Sequence, residues 1–167
     1  MGDALSELGG IYDTHAPRIF RYIYHRLGEQ AVAEDLTSEV FVRFLRARTT
    51  PDNLAAFLFR IAHNLIVDYL RRNRPVPLSE DVLTEQDDPA RLAETKIERA
   101  RLRRTIARLA PDQQQVIVLK FLEGLSNEEI ARVIGKSVGA VKALQYRGLA
   151  TLRDLLTAEE QRDRQNA

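Results

Sequence analysis

A chain of 167 residues, 44% hydrophobic and 29% charged, has room for one medium domain or two small ones with a real core. It has no cysteine, which excludes a disulfide framework, a zinc–cysteine cluster and thiol chemistry. Neither an apolar run long enough to span a bilayer nor a basic-then-apolar leader occurs, so the expectation is a chain of the reducing cytoplasm.

The net charge of +1 hides an asymmetry. Residues 1–74 hold ten basic and nine acidic side chains, residues 75–90 none and five, and residues 91–167 fifteen and ten. Two near-neutral or basic lobes therefore flank an acidic strap. That pattern is a better guide to partners than the total.

Periodicity is helical almost throughout, and no alternating run with hairpin chemistry stands out. The first helix is expected over residues 4–27, disturbed at Gly9-Gly10 and at Pro17. The second covers residues 31–47. Its apolar residues fall on two sides: Leu36, Val40 and Phe44 form one stripe, while Phe41, Val42 and Leu45 point elsewhere. Such a helix is either central in a bundle or docked on a partner. The third begins near Asn53, with Asp52 or Asn53 as its cap, and ends near Arg72. One face is apolar, while Arg60, His63, Asn64, Arg71 and Arg72 offer donors and charge. Those residues suit unpaired bases, yet a core helix with a basic C-terminal end would look the same.

Residues 75–90 contain three of the six prolines and five acids, a composition for an extended linker and a domain boundary. A charged helix follows from about residue 90 to 109. Its arginines 99, 101, 103, 104 and 108 fit a DNA-facing surface or a solvated face equally well. Pro111 opens the next helix, which Gly124 ends.

Ser126-Asn127-Glu128-Glu129 then has the form of a capping box. A short helix carries Ile130 and Ile134, Gly135 permits a sharp turn, and Ser137 can cap a second helix. On that helix Val138, Val141, Leu144, Leu149, Leu152 and Leu155 share one side. Lys142, Tyr146, Arg147 and Arg153 share the other. Between Arg132 and Arg153 there are five basic residues and no acidic one. This is the pattern of a helix-turn-helix that places its second helix in a major groove. Lys136 departs from it, standing just after the turn glycine where an apolar residue is usual. Residues after Ala158 read as a frayed polar tail.

Catalysis finds no support. His15, His25 and His63 lack metal-ligand spacing, no glycine loop cradles phosphate, and the adjacent acids read as helix-start charges. No cofactor is expected.

Taken in order, these segments resemble a bacterial sigma factor of the extracytoplasmic-function (ECF) group. Ala33-Glu34-Asp35-Leu36-Thr37-Ser38-Glu39-Val40-Phe41 resembles the family's polymerase-binding segment. Phe57 to Arg72 resembles its promoter −10 segment, and Ser137 through Arg153 its −35 recognition helix. The resemblance implies an all-α chain: region 2 over residues 1–74, a linker over 75–90, and region 4 over 91–167. It implies that Asp35, Leu36, Glu39 and Phe41 meet the clamp helices of the largest subunit of core RNA polymerase. The flap of the second subunit would meet region 4. It further implies that Arg60, His63, Asn64, Arg71 and Arg72 lie on −10 DNA and help it melt, and that Ser137, Lys142, Tyr146 and Arg147 lie on the −35 duplex. The acidic linker would thread polymerase's RNA path. An anti-sigma factor, which could hold the chain near the membrane, is an expected partner; a stable homo-oligomer is not. With no further domain after region 4, regulation through a C-terminal extension is not expected. Ser38 and Phe57 stand where the family commonly has glutamine and tryptophan. Gly139 and Gly148 are unusual within a recognition helix. A stand-alone dimeric helix-turn-helix regulator and a protein-binding helical adaptor are the competing readings.

Overall fold

The computed structural model describes residues 2–73 and 89–167, with side chains from residue 95 in the second stretch; the five acids of the strap lie outside the described residues. Every regular element among the described residues is helical.

Three helices build the first lobe: α1 (Gly2–Leu27), α2 (Gln30–Ala47) and α3 (Leu54–Arg72). Ile19, Tyr22, Ile23, Val40, Leu58, Phe59 and Ile66 form its closed core. Tyr22 meets the edge of Phe59 at 5.5 Å between centroids. Contrary to expectation, α1 runs unbroken through Gly9-Gly10 and Pro17. Proline in a helix interior costs about 3 kcal/mol or more, but Ala16 and Ile19 beside it are buried, and their packing holds the helix together. Gly28, at φ 74°, ends α1 with its amide on the Tyr24 carbonyl. Between the two candidate caps of α3 the structure selects Asn53, whose side chain accepts from the Ala56 amide at 2.9 Å.

The second lobe contains α4 (Pro89–Ala107), α5 (Pro111–Ile117) running into a π-helical turn (Val118–Leu122), α6 (Asn127–Ile134) and α7 (Val138–Gln165). Ile106, Val116, Leu119, Ile130, Val133, Val141 and Leu144 are its core. α7 continues well past Ala158, where a frayed tail was expected. The cause is long-range. Glu159 accepts from Arg101 at 3.1 Å and from Arg108 at 3.3 Å. Part of the α4 arginine cluster is thus spent on tying down α7.

Gly148 of α7 is buried against α5. A Cβ there would stand 3.0 Å from Ile117 Cγ1 and 3.2 Å from its Cδ1. Gly148→Ala should gain about 0.5–1 kcal/mol of helix propensity and lose about 1–3 kcal/mol to overpacking. Because Ile117 is itself enclosed, the net expectation is destabilisation of about 1 kcal/mol. At Gly139 a Cβ would meet nothing nearer than 4.0 Å, so Gly139→Ala should instead stabilise. Urea midpoints of the two variants, on opposite sides of wild type, check the pair.

The lobes pack on each other. α1 lies against α4 and the π turn, and α3 lies against α6. Glu123, just after the π turn, is 1% exposed at its side chain and sits between Arg18 (3.5 Å) and Arg21 (3.4 Å) of α1. Arg18 also donates to the Glu123 carbonyl at 2.7 Å and covers the Phe59 ring. Gln114 donates to the His25 carbonyl and accepts from Arg26, both at 3.0 Å. Burial holds the Glu123 carboxyl above its ordinary range despite the pull of Arg21 and Arg18. A buried carboxylate of the second lobe thus meets two arginines of the first at the seam between them.

Candidate nucleic-acid interface

The helix-turn-helix is assembled by local chemistry. Ser126 Oγ accepts from the Glu129 amide at 3.1 Å, and the Glu129 carboxylate accepts from the Ser126 amide at 2.9 Å, completing the capping box. The amide of Ser126 holds the Glu129 carboxyl below its ordinary range. Gly135 takes φ 69°, and its amide and that of Lys136 both reach the Ala131 carbonyl. Ser137 caps α7 by accepting from the Ala140 amide at 3.1 Å. Gln145 of α7 donates to the side chain of Asn127 in α6, which fixes the crossing of the two helices beyond their apolar contact.

This frame leaves one face of α7 open. Lys142, Tyr146 and Arg147 are exposed, Tyr146 by 77%. Ser137 is exposed at the head of the same helix, its oxygen engaged as the cap. All four expected duplex residues therefore lie on the free surface. Leu149, placed on the apolar side by periodicity, is 43% exposed instead. Lys136 points outward and pairs with Asp112 at 3.6 Å.

The residues expected on −10 DNA divide into two groups along α3. Asn64, Arg71 and Arg72 are exposed, with Arg71 3.7 Å from Asp68. Arg60, also exposed, and the half-buried His63 lie towards the second lobe. Arg60 donates to the Arg132 carbonyl at 2.6 Å, and His63 has a buried Nδ1 without a partner. Burial, then nearby Arg26, hold the His63 imidazole below its ordinary pKa, against the pull of Asp112.

On α2, Asp35 is exposed, and Leu36 and Glu39 are half-buried, Glu39 bridging to Arg43 at 2.9 Å. Phe41 is corrected: it is 8% exposed, because its ring packs 4.8 Å from that of Tyr12 on α1. The apolar surface at this end of the bundle is formed by Val42, Leu45 and Tyr12, which are 38%, 50% and 47% exposed. Tyr12 carries no sequence signal for this place, since only the crossing of α1 and α2 puts it there.

Among the described residues, no three His, Asp or Glu side chains gather as a metal would require, and no helix is long and apolar enough to cross a membrane.

Residues 11–76 match the model of sigma-70 region 2, and residues 99–152 that of sigma-70 region 4. The chain is 40% identical to the ECF RNA polymerase sigma factor BldN of Streptomyces coelicolor over 89% of its length, and spans 60% of that relative. It is 32% identical to the RNA polymerase sigma factor CarQ of Myxococcus xanthus, covering 92% of this chain and 90% of CarQ. Among solved structures, CnrH in complex with the cytosolic domain of CnrY matches 90% of this chain and 88% of its own, at TM-score 0.70 and 27% identity. The sigma factor RpoE in complex with the anti-sigma factor NepR from Bartonella quintana shares the fold, at TM-score 0.72 and 18% identity over 90% of this chain and 97% of its own. With both regions matched in order and a relative aligned nearly end to end, this chain belongs to the sigma-70 family, in its extracytoplasmic-function group.

Proposed function

We propose that the chain directs core RNA polymerase to a set of promoters and helps to open their −10 element, with no chemistry of its own. The observation that carries this reading is the exposed α7 face of Lys142, Tyr146 and Arg147, held by a complete helix-turn-helix frame in a chain that also has a region 2 bundle. Asp35, Leu36 and Glu39, with Val42 and Leu45, are assigned to the clamp helices of the largest polymerase subunit. Phe41 supports that surface from beneath. The flap of the second subunit is assigned to the second lobe, where Phe121 and Leu122 stand 54% and 40% exposed. Arg60, His63, Asn64, Arg71 and Arg72 are assigned to −10 DNA. The complexes of RpoE with an anti-sigma factor and of CnrH with a cytosolic domain support a protein inhibitor of this chain and a cytoplasmic place of action.

The test is transcription from genomic fragments by core polymerase with and without the chain. New start sites that appear only with the chain support the reading; an unchanged set of starts refutes it. Two variants refine it. Lys142→Ala or Arg147→Ala should weaken duplex binding: a lost phosphate contact lowers the salt slope by about one, and a lost bidentate base contact costs about 1–3 kcal/mol. Asn64→Ala should spare core binding and duplex binding but reduce permanganate reactivity in the opened −10 region. A side-chain amide both donates and accepts, which suits an unstacked base edge. Wild-type melting by that variant would return Asn64 to a structural role.

A further inference from the structure

We infer that the cleft where α1, α4 and the π turn meet is a binding site for a small apolar carboxylate, whose head is taken by Arg21, Arg99 and Arg103 and whose body lies on Tyr24, Leu102 and Leu122. The site shares no residue with those assigned above to −10 or −35 DNA.

Helical spacing builds the cleft. On α4, Arg99, Leu102, Arg103 and Ile106 recur at the three- and four-residue intervals that put side chains on one face. On α1, Arg21 and His25 stand one turn apart, with Tyr24 beside them. Leu122, the last residue of the π turn, closes the third side and is 40% exposed. A π turn is uncommon and recurs at functional sites. The cleft holds about 340 Å³, within the range of roughly 300–1,000 Å³ that small-molecule sites occupy.

Charge and polarity select the occupant. No described residue that lines the cleft is acidic. Glu123 stands next to it, but its one carboxylate is shared by Arg18 at 3.5 Å and Arg21 at 3.4 Å, so two positive charges meet one negative. His25 reports the resulting field: after burial, the charges that lower its pKa to about 4 are both cations, Arg103 and Arg21. An anion is therefore favoured. The apolar wall sets a second condition, because a bare inorganic anion would leave Tyr24, Leu102 and Leu122 unused and would be costly to desolvate against them. A carboxylate on an aliphatic or aromatic body meets both conditions. It carries a single charge, and its two oxygens match the fork of a guanidinium. Bound there, it would touch α1 of the first lobe and α4 of the second at once.

The test uses the full chain and decanoate, at neutral pH and below the concentration at which decanoate forms micelles. The chain has three histidines, so its imidazole NMR signals are few, and His25→Gln assigns the one in the cleft. The His25 signal should move saturably, with one decanoate bound per chain, while those of His15 and His63 stay in place. Decan-1-ol keeps the body without the charge, and butyrate keeps the head with little body; each should bind at least about tenfold more weakly than decanoate. Saturating decanoate should also raise the thermal midpoint, as a ligand of the folded state must. Arg103→Gln, checked for wild-type helicity, should weaken decanoate at least about tenfold and leave decan-1-ol unchanged. Equal binding of decanoate and decan-1-ol by the wild type overturns the proposal. So does a His25 signal that does not move, a shift of all three histidines in step, or a lowered midpoint, the last two being the marks of a detergent acting on the whole chain.

Discussion

Asp35→Lys combined with Glu39→Lys is expected to weaken binding to core RNA polymerase about a hundredfold or more while leaving the fold and duplex binding of the full chain unchanged. Both carboxylates lie on α2 beside Val42 and Leu45, an apolar surface the lobe leaves uncovered. Truncating one partner of a buried, hydrogen-bonded charge pair costs about 2–5 kcal/mol, and like charges set against each other cost several more. The cost to the fold is far smaller. Glu39 is engaged only in an exposed bridge to Arg43 four residues on, a contact worth about 0.3–0.5 kcal/mol. Asp35 is exposed, and no ion pair of its own stands among the described contacts. The asymmetry between those magnitudes makes the variant informative. Competition against the wild-type chain for core, together with a thermal melt, separates the two effects. Undiminished competition by a well-folded variant would remove this surface from the polymerase interface.

What was legible in the sequence was local. The capping box at Ser126, the Asn53 cap, Pro111 at a helix start and Gly135 in the turn each act within a few residues, and the structure uses all of them. The open face of α7 was legible for the same reason, since one helix carries it. What failed depended on contacts distant along the chain. Pro17 left α1 unbroken because the surrounding core holds it. α7 runs past Ala158, where Arg101 of α4 and Arg108 just beyond it reach Glu159. Phe41, set apart from the main apolar stripe of α2, is buried because its ring meets Tyr12 on α1, which helical periodicity on α2 cannot reveal. α3 shows the limit most clearly: its five polar residues look like one set in sequence, yet His63 alone is half-buried, and Arg60, though exposed, donates to the Arg132 carbonyl of the second lobe. Glu123 carried no signal at all, being one acid among many until the fold places it between two arginines.

Acid is expected to loosen the closed arrangement as the pH falls from 6.5 towards 4, through His25. This imidazole lines a cleft where α1, α4 and the π turn meet, beside Arg21, Arg103 and Leu122. Burial, then Arg103 of the second lobe and Arg21 of its own helix, lower its pKa from 6.5 to about 4. The closed chain thus holds His25 neutral. A base whose pKa is depressed on closing contributes stability that is present above 6.5 and lost as the pH falls through the lowered value. A shift of that size corresponds to at most on the order of 3 kcal/mol, at about 1.36 kcal/mol per unit. The ceiling applies only if parting the lobes restores His25 fully to water and removes Arg103. The ratio of closed to open chain should then drop by up to roughly a hundredfold. His63, whose pKa is also lowered, mainly by burial, acts in the same direction. Glu123 acts against them: its carboxyl is held above the ordinary 4.5, so the closed chain takes up that proton more readily. His25→Gln, which cannot titrate, separates these contributions. Scattering from pH 7 to 4.5 should show the wild type expanding over the window and His25→Gln expanding less. An identical expansion in both chains would show that His25 is not the group that senses acid at this seam.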